Sequence, residues 1–514
     1  MGVIRQVAKN TIAGWGAVLI RTAVAFYMVP FLLRHLGRSG YGIVGLLGVL
    51  LSLSTVVDLG LRQALGRELA EQVAKKDYHA FNDLINTGLL FCMGMGTLVA
   101  TGCLVLAPSM VAFFKVPTEL QRMAVNAVRI YGAGAFLLSF MSAICTAALT
   151  STNRFDVRNN IESGSRLLTS LMLILVISQT KNRLYGWVAV MLAGQFLMVG
   201  LHTAAIRRLC PWLALGRRHV RLARARSLFG FGWKVYVLQL THTISKHSSP
   251  LVVSRFFGPA GVALYAPGNR LSGMLRSIAL TLSLQLHPVA TRQHVESAGG
   301  KQKRMLIEGT RLTLLMGILF SVGLFVFAEP LCARWLGGAL GGDYRIVVTI
   351  MQLFAVVDLQ ICTASMQWPM MLGARRLDAM MWIHGSTAIL NITLSVYFAG
   401  YTALGVPGVL VGTIITGAIL RPALIWYGAR VFKIPLLTFL SRALLRPLFV
   451  ACALLPVAYA IRAAVKPRGY PSLLACCLAT GAVWLGLLMS VAFSAEERSW
   501  LSARLRSMFL RPPR

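Results

Sequence analysis

Ionisable side chains stand inside long apolar runs of this sequence, and most of them are basic. The basic residues at or near bilayer depth are Arg21, Arg62, Arg129, Lys234, His242, Lys246, His247, Arg270 and Arg276. The acids at the same depth are Asp58 and Asp358. Because an unpaired charge in hydrocarbon is costly, this surplus of positive charge predicts a water-filled cationic cleft that binds an anionic substrate, such as one carrying a pyrophosphate.

Helical spacing indicates which of these side chains share a face. Gln239, His242 and Lys246 follow one another at i, i+3 and i+7, which places them on one polar stripe of a helix. Arg276 lies six residues from Arg270 and points about 120° away from it, so we expect one of the two in the cleft and favour Arg270. The predicted substrate-binding residues are Arg21, Gln239, His242, Lys246 and Arg270.

The two acids are candidates for gating or coupling. Asp58 and Arg62 are i, i+4 neighbours near the inner end of their run. They form either a self-neutralising anchor at the headgroup level or part of an inner gate whose partners exchange between inward and outward states. Asp358, isolated in its run with Ser365 on the same face, is the alternative coupling site. No resident cofactor is expected, and a proton or sodium gradient is the candidate energy source.

Some of the remaining groups also have a simple structural interpretation. Lys234 and Arg129 lie close to the predicted interfaces, where long basic side chains extend toward lipid headgroups. Trp233 and Tyr236 are able to stack on sugar rings, although aromatic residues at helix ends are more often interfacial anchors.

The elements that must hold these side chains are membrane-spanning helices. The chain has 514 residues, of which 56% are hydrophobic and 13% are charged. Apolar runs of about 20 residues, the length that crosses a bilayer as a helix, recur along the whole sequence. The runs are unbroken, whereas the strands of a lipid-facing barrel alternate. We therefore predict an all-α integral membrane protein with about 14 transmembrane helices.

The distribution of basic residues between the runs indicates how the chain crosses the membrane. When the runs are numbered from a cytoplasmic N-terminus, the segments on the N-terminal side hold about 32 of the 51 lysines and arginines. This bias places both termini in the cytoplasm. The densest cluster, RRLCPWLALGRRHVRLARAR, runs from Arg207 to Arg226. We interpret it as a solvated, lipid-facing cytoplasmic linker and expect no nucleic-acid binding, because no interleaved aromatic pattern accompanies it.

The sequence offers no obvious place for covalent chemistry. Most connections are shorter than about 15 residues, too short to fold into a catalytic domain, and aspartate and glutamate total only 16. The sequence has no phosphate-binding glycine loop, nucleophile elbow or HExxH motif, and its nine cysteines form no CxxC pair. We therefore expect neither a metal site nor an enzyme, and we favour transport.

Two stretches of the sequence share one pattern. PFLLRHLGRSGYGIVG, at residues 30–45, aligns with PLVVSRFFGPAGVALYA, at residues 250–266. Their glycines pair at one offset of 221 residues, Gly37 with Gly258 and Gly40 with Gly261. Each copy joins the first two spans of a six-span block, and because six is even, both blocks enter the membrane in the same orientation. This predicts parallel repeats with a substrate path between two halves.

The repeat divides the chain into four predicted parts. These are an N-terminal six-helix bundle (residues 1–206), the basic cytoplasmic linker (207–227), a second six-helix bundle (228–430), and two additional transmembrane helices with a basic cytoplasmic tail (431–514).

The first eighty or so residues also resemble a known family. The stretch RHLGRSGYGIVGLLGVLLSLSTVVDLGLRQALGRELAEQ, preceded by NTIAGWGAVLIRTAVAFYMVPFLL, is similar to the opening of Wzx-type polysaccharide-biosynthesis flippases of the multidrug/oligosaccharidyl-lipid/polysaccharide exporter superfamily. The resemblance implies two six-helix bundles in a V, as in multidrug exporters of that superfamily, and a central cleft open to one face at a time. It also implies a bacterial inner-membrane protein that moves an undecaprenyl-pyrophosphate-linked oligosaccharide for O-antigen or exopolysaccharide synthesis, beside other polysaccharide assembly proteins.

Two other functions stay open. A cation-coupled multidrug exporter of the same superfamily would use acidic rather than basic residues for its substrate, which the charge imbalance argues against. A membrane enzyme or assembly factor of envelope glycan synthesis would need a catalytic loop. Within the flippase interpretation, a lipid II flippase is the nearest variant.

Overall fold

The computed structural model describes residues 2–52, 61–152, 154–221, 233–295, 299–374 and 378–492. Within these ranges every regular element is a helix, and a few π-helical turns interrupt the α-helices. Ten of the described helices are long and apolar enough to cross a membrane. The prediction of an all-α, multi-pass membrane protein is confirmed.

The longer helices are numbered here in chain order. They are α1 (Gly2–Ser52), α2 (Leu61–Lys75), α3 (Tyr78–Phe113), α4 (Thr118–Ser151), α5 (Phe155–Gln179), α6 (Arg183–Leu209), α7 (Trp233–Val295), α8 (Gly299–Trp335), α9 (Tyr344–Thr363), α10 (Asp378–Gly400), α11 (Gly408–Val431), α12 (Leu436–Val465) and α13 (Tyr470–Leu487). Short helices cover Gly337–Leu340 and Gln367–Gly373.

Helices α1 and α7 each change direction at one glycine. The backbone angles are φ 70°, ψ 177° at Gly37 and φ 63°, ψ −167° at Gly258. This region of backbone space is open essentially to glycine alone. The two residues are the pair that the repeat aligns, so two distant parts of the chain make the same local turn, as parallel repeats require.

A proline in α3 leaves one backbone carbonyl without its helical partner. Pro108 has no N–H to donate to the carbonyl of Leu104, four residues earlier. Arg129 of α4 supplies the missing donor, with its Nε 3.2 Å from Leu104 O. Arg129 is therefore held by a neighbouring helix, and its role in the fold is to satisfy this carbonyl.

The same device occurs in α8. Pro330 leaves the carbonyl of Val326 free, and Nη1 of Arg462, on α12, donates to it at 2.8 Å. A second nitrogen of Arg462 pairs with the carboxylate of Glu329. This arginine thus links α12, the first of the two additional C-terminal helices, to α8.

The chain divides by its contacts into two compact units, Met1–Ala266 and Pro267–Arg514. In the first unit, α2, α3, α4 and α6 enclose a core of buried apolar side chains that includes Leu69, Phe81 and Phe140. In the second unit, α8 packs along α9, and α10 packs along α11. These units follow packing, whereas the four predicted parts follow the order of spans and remain a prediction.

Small residues set the distance between α10 and α11. A Cβ atom placed on Gly412 would lie 2.7 Å from the backbone of Leu394, and one on Gly408 would lie 2.4 Å from Phe398 O. Such contacts need glycine, because no side chain fits between backbones that approach so closely. Gly408 and Gly412 thus allow α10 and α11 to pack closely.

The basic stretch after α6 differs from the expected solvated linker. Cys210 belongs to the apolar core of the first unit, and Trp212 and Leu213 pack against it. Polar side chains of α3 bond the backbone that follows. Residues 222–227 lie outside the described residues.

Candidate functional site

The structure describes the side chains of two of the predicted site residues, Arg270 and Asp358. The other predicted side chains lie outside the described residues, and their roles stay predictions; they are Arg21, Asp58, Arg62, Gln239, His242 and Lys246.

Asp358 lies buried in the C-terminal third of α9, and the prediction that it is isolated is wrong. Its Oδ2 accepts a hydrogen bond from Ser272 Oγ at 2.6 Å, and its Oδ1 accepts one from Arg276 Nη1 at 2.7 Å. Ser272 and Arg276 are four residues apart on α7, so both project from one face of that helix toward α9. The carboxylate therefore has a hydroxyl donor and a guanidinium partner, both more than 80 residues away in the sequence.

The ion pair is largely shielded from solvent. The Asp358 side chain is 8% exposed and that of Arg276 is 19% exposed. A paired charge with an additional hydrogen bond is the form in which a buried carboxylate is tolerated. Arg276 is thus engaged inside the second unit, whereas Arg270 is exposed. The two arginines face in different directions, as their spacing predicts.

Arg421, on α11, is a further cation in this region. It interacts electrostatically with both Asp358 and Arg276. Its Nε is buried and has no hydrogen-bond partner among the described residues. Sequence reasoning missed this residue, although an arginine in the middle of the apolar run 405–429 was a visible signal.

Gly417 leaves room for two polar groups beside Arg421. A Cβ atom at this position would lie 2.3 Å from Gln360 Oε1 and 2.9 Å from Arg421 Nε. The amide of Gln360 donates from Nε2 to Ile414 O at 3.2 Å, while its buried Oε1 accepts no bond within the described part of the chain. The absence of a side chain on Gly417 therefore allows the Gln360 amide and the Arg421 guanidinium to lie side by side against this point of α11.

A small pocket borders the ion pair and has room for about one water molecule. Arg276 and Asp358 form its polar end, and Ser321 contributes a hydroxyl. The rest of the lining is apolar or weakly polar: Leu275, Ala279, Gly317, Phe320, Leu324 and Cys362. Ser272, Arg276, Asp358 and Arg421 together form a charged cluster with two guanidinium groups and one carboxylate. The cluster can hold an anion or hydrogen-bonded water. It has no arrangement for nucleophilic catalysis.

Comparisons with known proteins agree with this architecture. The model of a family described as polysaccharide biosynthesis proteins matches residues 31–340. A relative from Bacillus subtilis (strain 168), described as the uncharacterized membrane protein EpsK, is 22% identical over 509 residues and covers 97% of both chains.

Solved structures with the same fold are transporters. The lipid II flippase MurJ, in an inward closed conformation, aligns with a TM-score of 0.70 at 14% identity, covering 98% of this chain and 99% of its own. An inward-facing multidrug resistance MATE family transporter of the MOP superfamily aligns with a TM-score of 0.66 at 13% identity, covering 81% of this chain and 98% of its own. At these identities the likeness concerns the fold, which is the one that the resemblance implied.

Proposed function

Since this chain belongs to the family of polysaccharide biosynthesis proteins, we propose that it is a flippase that moves an anionic, polyprenyl-pyrophosphate-linked oligosaccharide across the bacterial inner membrane. The glycan would serve a surface polysaccharide such as O-antigen or exopolysaccharide. Both termini would lie in the cytoplasm, and other polysaccharide assembly proteins would be neighbours in the membrane.

The observation that carries the proposal is the sign of the charge inside the second unit. Arg276 and Arg421 lie beside a single carboxylate, Asp358, inside apolar helices. A buried surplus of positive charge is stabilised when an anion or water reaches it. A drug-like cation would be repelled by the same groups, so the charge favours an anionic substrate over the multidrug alternative.

The proposed mechanism is alternating access of two helix bundles. Arg21, His242, Lys246 and Arg270, with the amide of Gln239, would bind the pyrophosphate and the nearby sugar while the polyprenyl tail stays in lipid. Guanidinium and ammonium groups suit this task because they form charge-assisted hydrogen bonds to phosphate oxygens. No covalent bond is formed or broken, so the protein acts as a transporter and not as an enzyme.

Asp358 offers a way to couple this movement to an ion gradient. A proton or a sodium ion on the carboxylate would weaken its bond to Arg276 and free that guanidinium. Asp58 and Arg62, i, i+4 neighbours in the sequence, are the corresponding candidates for an inner gate. The proposed driving force is accordingly a proton or sodium gradient.

The test is flipping of a fluorescent undecaprenyl-pyrophosphate oligosaccharide in proteoliposomes. The wild type is compared with Arg21→Ala, Lys246→Ala, Arg270→Ala and Arg421→Ala at matched protein levels. Arg122→Ala removes an exposed arginine at the start of α4 and serves as the charge-matched control. We expect flipping by the wild type and the control, with about a tenfold or larger loss in the four variants, since a lost charged hydrogen bond costs about 1.5–3 kcal/mol.

The possible results distinguish a failure of the proposed site from a failure of the proposed function. Flipping by wild type and by all four variants would keep the flippase and reject the cationic site. Inactivity of the wild type toward several glycans, with and without imposed gradients, would reject the flippase and favour an enzyme or assembly factor, which a glycan-transfer assay would then detect.

A further inference from the structure

The segment after α6 is fixed to the first unit by a set of side chains on α3. Asn82 Nδ2 donates to Trp212 O at 3.0 Å, and its Oδ1 accepts from Ala214 N at 3.1 Å. One helical turn later, Asn86 Nδ2 donates to Ala214 O at 2.8 Å, and its Oδ1 accepts from Gly216 N at 2.9 Å. Each asparagine thus bonds the segment through both its donor and its acceptor.

The spacing of the two asparagines along α3 matches the spacing of the backbone groups that they bond. Positions four residues apart on a helix are separated by about 6 Å along its axis, and the backbone groups that the asparagines bond belong to every second residue of the segment, Trp212, Ala214 and Gly216. Asn82 and Asn86 therefore reach successive sites along residues 212–216. Thr87 continues the series, because its Oγ1 accepts from Arg221 N at 3.1 Å. We call residues 207–221 the docked segment.

Aromatic packing and one carboxylate complete the attachment. The ring of Trp212 lies 4.6 Å from that of Tyr78, measured between centroids. Both oxygens of Asp83 are used, one with Arg221 Nε at 3.1 Å and the other with His219 Nδ1 at 3.4 Å. The backbone of the docked segment is therefore held along its length.

The outer face of the docked segment is basic. Arg207 and Arg208, in the last turn of α6, and Arg218 are exposed. None of the three forms an ion pair with a carboxylate that the structure describes. Leu215, between them in sequence, is 56% exposed. Exposed arginines and an exposed leucine close in sequence to the end of a membrane-spanning helix match the composition of the lipid headgroup region.

We propose that the docked segment is a binding surface for the phosphate groups of anionic phospholipids in the leaflet at this end of α6. Guanidinium groups bind phosphate oxygens in pairs of parallel hydrogen bonds, and they do so best when their backbone is already ordered. The asparagines of α3 provide that order, while Leu215 enters the edge of the acyl region. The surface shares no residue with the proposed transport site.

The test measures lipid preference of the full-length protein by native mass spectrometry. Purified protein is mixed with phosphatidylglycerol and phosphatidylcholine, and the bound fraction of each is counted. The variant Arg207→Gln/Arg208→Gln/Arg218→Gln removes the basic face without touching the core. The matched control removes equal charge from exposed positions at the other ends of the helices in the same unit, through Lys115→Gln/Arg122→Gln/Lys181→Gln.

The expected result follows from the strength of such contacts. Each basic residue close to an anionic leaflet contributes about a fivefold preference, so the arginine variant should lose at least about tenfold of the phosphatidylglycerol preference. The control should lose less than about twofold, because its residues are not part of an ordered surface. Equal losses in the two variants would show attraction by overall charge and overturn the proposal, as would a wild type without preference.

A second variant tests the role of the fixed backbone. Asn82→Ala/Asn86→Ala keeps every arginine and removes the bonds that hold residues 212–216. We expect a loss of about threefold or more in the preference, because the side chains must then be ordered on binding. An unchanged preference in a protein that still elutes as a folded monodisperse peak would show that lipid binding does not depend on the fixed backbone, and would overturn the proposal that the asparagines of α3 prepare this surface.

Discussion

Individual arginines in this membrane protein are satisfied by specific acceptors in neighbouring helices. Arg129 and Arg462 donate to the carbonyls that two prolines leave free, and Arg276 donates to Asp358. In the first two cases the proline removes the helical donor, so the guanidinium replaces a backbone hydrogen bond of the neighbouring helix. In the third it pairs with a buried carboxylate. Each acceptor is thus satisfied by one residue on another helix.

The link between Arg462 and Pro330 can be measured with a double-mutant cycle. Arg462→Met should destabilise the wild type by about 1 kcal/mol more than it destabilises a Pro330→Ala background, because alanine restores the N–H that bonds Val326 O. The measurement is the midpoint of denaturation in detergent for the four proteins. Glu329→Gln, introduced into all four proteins, removes the ion pair and should leave the coupling between Arg462 and Pro330 in place. If the coupling is lost in the Glu329→Gln background, the effect belongs to Glu329.

Asp358 should be needed for stability as well as for any transport role. Asp358→Asn leaves Arg276 and Arg421 without a counter-charge and should cost about 3 kcal/mol or more, as for other broken buried pairs. The double variant Asp358→Leu/Arg276→Met should recover only the part of this loss that comes from the unpaired Arg276, since an apolar pair of similar volume replaces those two ions while Arg421 still lacks a counter-charge. Thermal unfolding followed by tryptophan fluorescence provides the comparison. A double variant as unstable as Asp358→Asn would contradict this account of the pair.

At the scale of the helices, glycine determines how closely the backbones of two neighbouring helices approach each other. Gly412 meets the backbone of Leu394, whereas Gly385, on the facing helix α10, has no neighbour within 4 Å of its Cβ position. Gly412→Ala should therefore destabilise the protein by about 1–3 kcal/mol through overpacking. Gly385→Ala should be neutral or stabilising by up to about 1 kcal/mol, because alanine is the better helix former. Equal effects on the denaturation midpoint would mean that α10 and α11 adjust freely.

The docked segment contains a cysteine that is buried in the core of the first unit. Burial raises the pKa of the Cys210 thiol above that of a free cysteine. At a given pH the thiolate fraction is then smaller, so alkylation by iodoacetamide should be slow and should accelerate only at higher pH than for a model thiol. In a background where Cys210 is the sole cysteine, Asn82→Ala/Asn86→Ala should increase the rate at neutral pH. A wild-type rate equal to that of the model thiol would show that the segment is open.

For the whole molecule, the sidedness of the loops follows from the charge bias. The basic ends of the first unit carry Arg218, and the opposite ends carry Lys181. In a cysteine-free background, Lys181→Cys should react with a membrane-impermeant maleimide on spheroplasts, and Arg218→Cys should react only after the membrane is permeabilised. The reverse pattern, measured by gel shift, would place the N-terminus outside and invert the proposed direction of transport.

The sequence alone was sufficient for the membrane helices and for the pair of glycines at one offset. These features depend on local hydrophobic runs and on the conformational freedom of single residues, both of which are visible along the chain. The tertiary structure decided which groups meet: Asp358 with Arg276, Arg462 with a proline-freed carbonyl, and Asn82 with the backbone at Ala214, across separations of 82 to 136 residues. Such partners depend on which helices are neighbours and how they are rotated, and a linear pattern contains no signal for either. For the same reason Asp358 looked isolated in sequence and the basic segment looked solvated, although both are held by residues far away in the chain.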